Sequence, residues 1–140
     1  MLHGFLLGLL LLGAATPLDQ WSRKHADASQ ALAEWVKKNP DASNQLFRWD
    51  GLHPERTKDF VSWAIDNPNV DVVAFRTKHQ DWPEFQQLLD KQRLALNDFA
   101  QWARQHSDAA KDLMEHPRGL EWAGKHLYGK QARSRQARTK

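Results

Sequence analysis

The stretch WVKKNPDASNQLFRWDGLHPERTKDFVSWAIDNPNV, residues 35–70, decides the fold. Trp35, Trp49 and Trp63 stand 14 residues apart, and so do Pro40, Pro54 and Pro68. Each of these prolines follows Asn or His. Set out in rows of 14 from Trp21, the chain reads WSRKHADASQALAE, WVKKNPDASNQLFR, WDGLHPERTKDFVS and WAIDNPNVDVVAFR. Every row opens on Trp, carries His or Asn fifth, and returns to apolar residues near its end. Another row, WARQHSDAAKDLME, starts at Trp102, and WAGKH from Trp122 begins one more. A beat sustained in this way marks a tandem helical repeat, in which units bury their apolar faces on one another.

The chemistry of one unit explains the beat. Proline pushes the residue before it out of the α region, so a helix must stop there. The same proline suits the first position of the next helix, where its missing N–H would have no partner anyway. Asn39 and Asn67 read as N-caps whose side chains accept from first-turn N–H groups. Asp41 and Glu55 follow where the positive end of the helix dipole favours an acid. Leu46, Trp49 and Leu52, then Phe60, Trp63 and Asn67, form apolar stripes at helical spacing. Helices are therefore expected near 27–38, 40–50, 54–66 and 69–80, bent at each Asn-Pro or His-Pro.

Beyond Asp81 the pattern changes. No Pro or Gly interrupts Glu84–His106, and Phe85, Leu88, Leu89, Gln92, Leu96, Phe99, Trp102 and Ala103 keep helical spacing. One long helix of about 23 residues and about 34 Å is expected there. Two short helices near 108–115 and 118–128 follow, separated by His116-Pro117. The expected fold is all-α, a single domain of stacked short helices. Helices this short need tertiary packing, which assigns the tryptophans to the core.

At the amino terminus, MLHGFLLGLLLLGAATPLDQ has an apolar run from Phe5 to Leu12 followed by small residues. It reads as a secretory signal cut after Ala15, despite lacking Lys or Arg before the apolar run. A retained membrane anchor is the alternative, and a short core helix the third reading. The expected organisation is a signal or anchor at 1–15, a helical repeat domain at 16–128 and a basic disordered tail at 129–140.

The chain of 140 residues carries a net charge of +3 and no Cys. Disulfides, thiol catalysis and Cys metal sites are thereby excluded. Lys125, Lys130, Arg133, Arg135, Arg138 and Lys140 put +6 after Glu121 and leave the rest at −3. Such a tail attracts an anionic surface or polymer. Nucleic acid is a poor match for an exported chain, and a membrane is a partner only if the amino-terminal segment is retained.

Seven His invite a metal reading, but none lies three or four residues from another. Metal ligands on one helix face require that spacing. Asp108, Asp112 and Glu115 beside His116 are the remaining candidate cluster, for a cation or for acid–base chemistry. Acids in a helix's first turns explain them more simply. There is no Gly-rich phosphate loop, G-x-S-x-G or H-E-x-x-H. No cofactor is expected. The function expected is a non-enzymatic exported scaffold or protein-interaction module. A single-span accessory subunit of a larger complex is the alternative, and a metal or enzymatic protein built on Asp108–His116 the second.

Overall fold

Asn39 shows how the beat becomes structure. In the computed structural model, which describes residues 17–78, 81–116 and 118–123, helix α2 (Ala26–Lys38) ends at Asn39 and α3 (Pro40–Leu52) starts at the next residue. Asn39 alone leaves helical geometry, at φ −132° and ψ 63°. Its N–H donates to Trp35 O at 2.9 Å, and its carbonyl accepts from Ser43 N at 2.9 Å. The hydrogen-bond ladder thus passes through a one-residue joint.

The same joint recurs along the chain. His25 links α1 (Pro17–Lys24) to α2, and His53 links α3 to α4 (Pro54–Asp66). Gln92 links α6 (Pro83–Lys91) to α7 (Arg93–Gln105), and His106 links α7 to α8 (Ser107–Met114). All have φ between −118° and −139° and ψ between 33° and 66°. A 3₁₀ turn (Val72–Ala74), a short helix α5 (Phe75–Lys78) and a last helical stretch at 119–123 complete the described residues, among which there is no strand. The all-α expectation holds.

The segment between α4 and α6 turns the chain back, so that two jointed limbs run antiparallel. Helix α1 packs on α8, α2 on α7 and α3 on α6, while α4 lies against both α7 and α8. The register between limbs is written in indole hydrogen bonds. Trp21 Nε1 donates to Ala109 O at 2.8 Å, and Trp102 Nε1 donates to Ala28 O at 2.9 Å. These two bonds are reciprocal: each Trp stands four residues before its joint, and each Ala three after the opposite one. Trp35 Nε1 repeats the relation one unit along, donating to Ala95 O at 2.8 Å. The small side chains of Ala28, Ala95 and Ala109 lie buried where these indoles arrive. Seven residues beyond the joints, Leu32, Leu46, Phe60, Phe99 and Leu113 are all fully buried. Trp21, Trp35, Trp49, Trp82 and Trp102 are core residues, while Trp63 and Trp122 are partly buried against the core.

Three expectations need correction. The long helix over Glu84–His106 is two helices, broken at Gln92. No Pro or Gly causes that break. The opposing limb is bent at Asn39 by Pro40, and α6–α7 bend at the matching place to stay in contact. Gln92 therefore belongs to the repeat, with Leu88 in the place of Trp.

The side chain of Asn39 does not cap the helix that follows it, and no helix directly follows Asn67. Their Nδ2 atoms donate backwards, to Trp35 O at 3.1 Å and Trp63 O at 2.8 Å. Each adds a second donor to a carbonyl that already accepts from the same residue's backbone N–H, and so reinforces the end of the preceding helix.

No helix begins at 69. Asn69 has φ 67°, and Asp71 caps the 3₁₀ turn by accepting from Val73 N at 2.9 Å. The cause is distant in sequence. Arg104 of α7 donates to Ala64 O at 2.8 Å, Asn67 O at 3.0 Å and Val70 O at 2.9 Å. Asn97 Oδ1 accepts from Val72 N at 2.9 Å, and Arg93 bonds Asp71 Oδ2 through Nε and Nη2. Helix α7 thus holds the segment as a turn.

Candidate functional site

Two open clefts follow from this architecture. The first lies where the joints His25 and His106 face each other across the limbs. Its paired lining is Lys24 with Gln105, His25 with His106, and Asp27 with Asp108, around about 430 Å³. The polar groups here serve the helix ends. Asp27 and Asp108 occupy the first turns of α2 and α8, where the dipole favours an acid. His25 Nε2 lies 3.0 Å from Asp112 Oδ2, and the His25 and His106 rings lie 6.0 and 6.3 Å from Trp21 and Trp102.

The acid cluster considered from sequence does not converge. Asp112 pairs with His25, and Glu115 reaches Lys58 at 3.5 Å on the surface. The His116 N–H turns back to Leu113 O, and Asp108 lines the cleft just described. Among the described residues no three His, Asp or Glu side chains are grouped to hold a metal ion.

The second cleft is a groove of about 350 Å³ between α3 and α6. Gln45, Arg48, Trp49 and Leu52 form one wall, and Glu84, Gln87, Leu88 and Lys91 the other. Trp49 and Leu88 are the buried floor, whereas Leu52 is 62% exposed. Sequence spacing placed Leu52 in the apolar stripe with Leu46 and Trp49; it stands on the surface instead. A smaller depression of about 120 Å³ adjoins the groove, where the Arg56 guanidinium lies 5.1 Å from the Trp82 ring centre.

The repeat itself shows that Leu52 is unusual. It directly precedes a joint, a place held elsewhere by Lys24, Lys38, Asp66, Lys91 and Gln105. Leu94 is a second exception, 78% exposed two residues after a joint. Its equivalents are Asp27, Asp41, Glu55, Asn69 and Asp108. Aligning the rows and asking where a solvent-facing place turns apolar would have found Leu52. The missed joint at Gln92 hid Leu94.

Behind α3, Asp50 is buried and anchors the last helical stretch. Its Oδ2 accepts from Glu121 N at 3.1 Å. The Glu121 carboxylate, the movable end of its side chain, lies over Gly51. Burial pushes the Asp50 carboxyl above its ordinary range, partly offset by the Glu121 and Leu120 amides and the Thr57 hydroxyl.

The tail cations Lys125, Lys130, Arg133, Arg135, Arg138 and Lys140, the expected signal at 1–15, and His79 and His126 lie outside the described residues. Among the described residues no helix is long and apolar enough to cross a membrane. Compared with protein-family models, curated proteins and solved structures, the chain matches none.

Proposed function

We propose that the protein is a non-enzymatic, exported helical scaffold that works by binding other proteins, with a basic tail that adds an anionic surface or polymer to its contacts. The observation that supports this reading is Leu52. An exposed leucine stands beside an apolar-floored groove at a place where the other units carry charged or amide side chains. Together with the apolar floor of Trp49 and Leu88 it makes an apolar patch ringed by polar side chains, the anatomy of a contact surface. Export rests on the apolar run and small residues before Thr16. The tail reading rests on its six cations, which release counterions on meeting a polyanion.

The test is recovery of partners of the mature protein from its own host, using wild type, Leu52→Glu and a chain ending at Gly129. Leu52→Glu is expected to lose partners that survive high salt, because apolar contact is not screened. The shortened chain is expected to lose the salt-sensitive ones. A partner set unchanged in both variants contradicts the reading. Intact mass checks export: loss of the first 15 or so residues is expected, and a full-length chain in the membrane fraction contradicts it.

A further inference from the structure

We infer that the α3–α6 groove receives an amphipathic helix of a partner protein, apolar along one face and acidic along its flanks. This rests on the interaction reading above and names the chemistry of the occupant.

The shape argument comes from spacing. Each wall is built from residues at i, i+3, i+4 and i+7, from Gln45 to Leu52 and from Glu84 to Lys91. Both walls are therefore single helix faces, each about 10 Å long at 1.5 Å per residue. Two helix faces with an open seam between them make a seat for the ridge of a third helix. Trp49 and Leu88 floor the seam, and Leu52 stands at one end.

The charges along the seam select the occupant. Arg48 on one wall and Lys91 on the other flank the seam, against the single acid Glu84. Like most cations among the described residues, Arg48 and Lys91 form no ion pair with the chain's own acids, so both charges are open to a partner at the groove. A helix with acids on both flanks meets a cation on each wall. A second copy presenting this same face would bring four cations together with only two acids, a poorer charge match than an acidic helix offers. The chain's own tail is disfavoured for the same reason, since it is basic and has no acid after Glu121. The apolar run Phe5–Leu12 has no acid either, the first in the chain being Asp19.

The experiment uses the full mature chain and two labelled synthetic helices. Both carry leucines at i, i+3, i+4 and i+7; one has Glu on its flanks and the other Lys. Binding is read by fluorescence anisotropy. The Glu-flanked helix is expected to bind roughly tenfold or more tightly than the Lys-flanked one. Leu52→Glu should weaken it at least about tenfold, because it removes an apolar contact and sets a carboxylate against the acidic flanks. Leu94→Glu, outside the groove, should leave it unchanged. Arg48→Glu with Lys91→Glu should reverse the preference between the two helices. Equal binding of both helices, or binding that survives Leu52→Glu, overturns the proposal. So does a wild-type dimer in sedimentation that Leu52→Glu dissolves, since a second copy would then be the occupant. If neither helix binds but Leu52→Glu still strips proteins recovered from the host, the helical occupant is wrong and the interaction reading stands. If Leu52→Glu strips nothing, both fail.

Discussion

Asn39-Pro40 and Asn67-Pro68 are the same dipeptide at the same place in the repeat, yet one leads into a helix and the other into a turn. Up to the proline they are alike. Asn39 and Asn67 have φ/ψ of −132°/63° and −125°/67°, and each side-chain amide closes the helix behind it. They diverge at the carbonyl. Asn39 O accepts from Ser43 N and the helix continues. Asn67 O accepts from the Arg104 guanidinium and, at 3.4 Å, from Val70 N, and Asn69 turns to φ 67°. The proline bends the chain in both places. What comes after the bend depends on whether a distant helix offers a donor to the freed carbonyls.

The largest effect should come from the indoles that join the limbs. Trp102→Ala removes a buried ring and the bond to Ala28, and should destabilise by about 3–5 kcal/mol. Trp63→Ala, in the unit that ends in the turn, should cost clearly less, because Trp63 is only partly buried. Urea denaturation of the two variants compares them directly. Equal losses would mean that the two regions depend on their tryptophans alike.

Arg104→Ala comes next. It removes the guanidinium bonds to Ala64 O, Asn67 O and Val70 O, leaving Asn67 O only the 3.4 Å bond from Val70 N, and should cost about 2–3 kcal/mol. Arg104→Lys should restore only part, since an ammonium cannot reproduce the planar fork. Amide exchange should quicken over 67–72 in both variants while 39–43 stays protected. Unchanged exchange at 67–72 would show that the turn is held locally.

A smaller, pH-dependent effect separates Asp71 from Asp50. Hydrogen bonding from Arg93, then from the Val73 amide, lowers the Asp71 carboxyl from 3.8 to about 2. Asp71 is ionised more readily in the folded state. Its contribution is therefore present above about pH 4 and lost as pH falls towards 2. After allowance for solvent screening, Asp71→Asn should cost about 1 kcal/mol at neutral pH and only a small part of that at pH 2. Asp50 runs the other way. Burial raises its carboxyl, so the folded state holds the proton more tightly and stability falls as pH rises through that window. Asp50→Asn should flatten that fall. Urea melts from pH 2 to 7 distinguish the two slopes, and slopes of one sign would contradict the assignment.

The smallest effect should be a gain. Helix α7 is without an acid in its first turn, and Leu94 stands where α2, α3, α4 and α8 carry Asp or Glu. Leu94→Glu should add about 0.3–1 kcal/mol through the helix dipole. A loss in thermal denaturation would show that Leu94 packs on something.

Much of this fold is legible in the sequence. The three X-Pro joints, the lengths of α2 to α4 and the burial of most tryptophans follow from local rules that act within one unit. The joint at Gln92 does not, because its cause is the bend of the opposite limb, and nothing in KQRLALN breaks a helix by itself. The turn at 67–71 was hidden for the same reason, its donors lying 22 to 40 residues away in Arg93, Asn97 and Arg104. The groove was half visible. Trp49 and Leu52 lie together in sequence, but the opposite wall, and the exposure that marks Leu52 as an exception, emerge only when the limbs pair.

The central claim is that the two limbs are held in register by indole N–H groups bonded to main-chain carbonyls three residues past the opposing joint. Hydrogen exchange at the indole Nε1–H groups, followed by NMR, tests it most directly. Trp21, Trp35 and Trp102 are buried and bonded to Ala109, Ala95 and Ala28. The account predicts that these three indoles exchange as slowly as the best-protected backbone amides, by global unfolding. Exchange of those three at the rate of a solvent-exposed indole would contradict it.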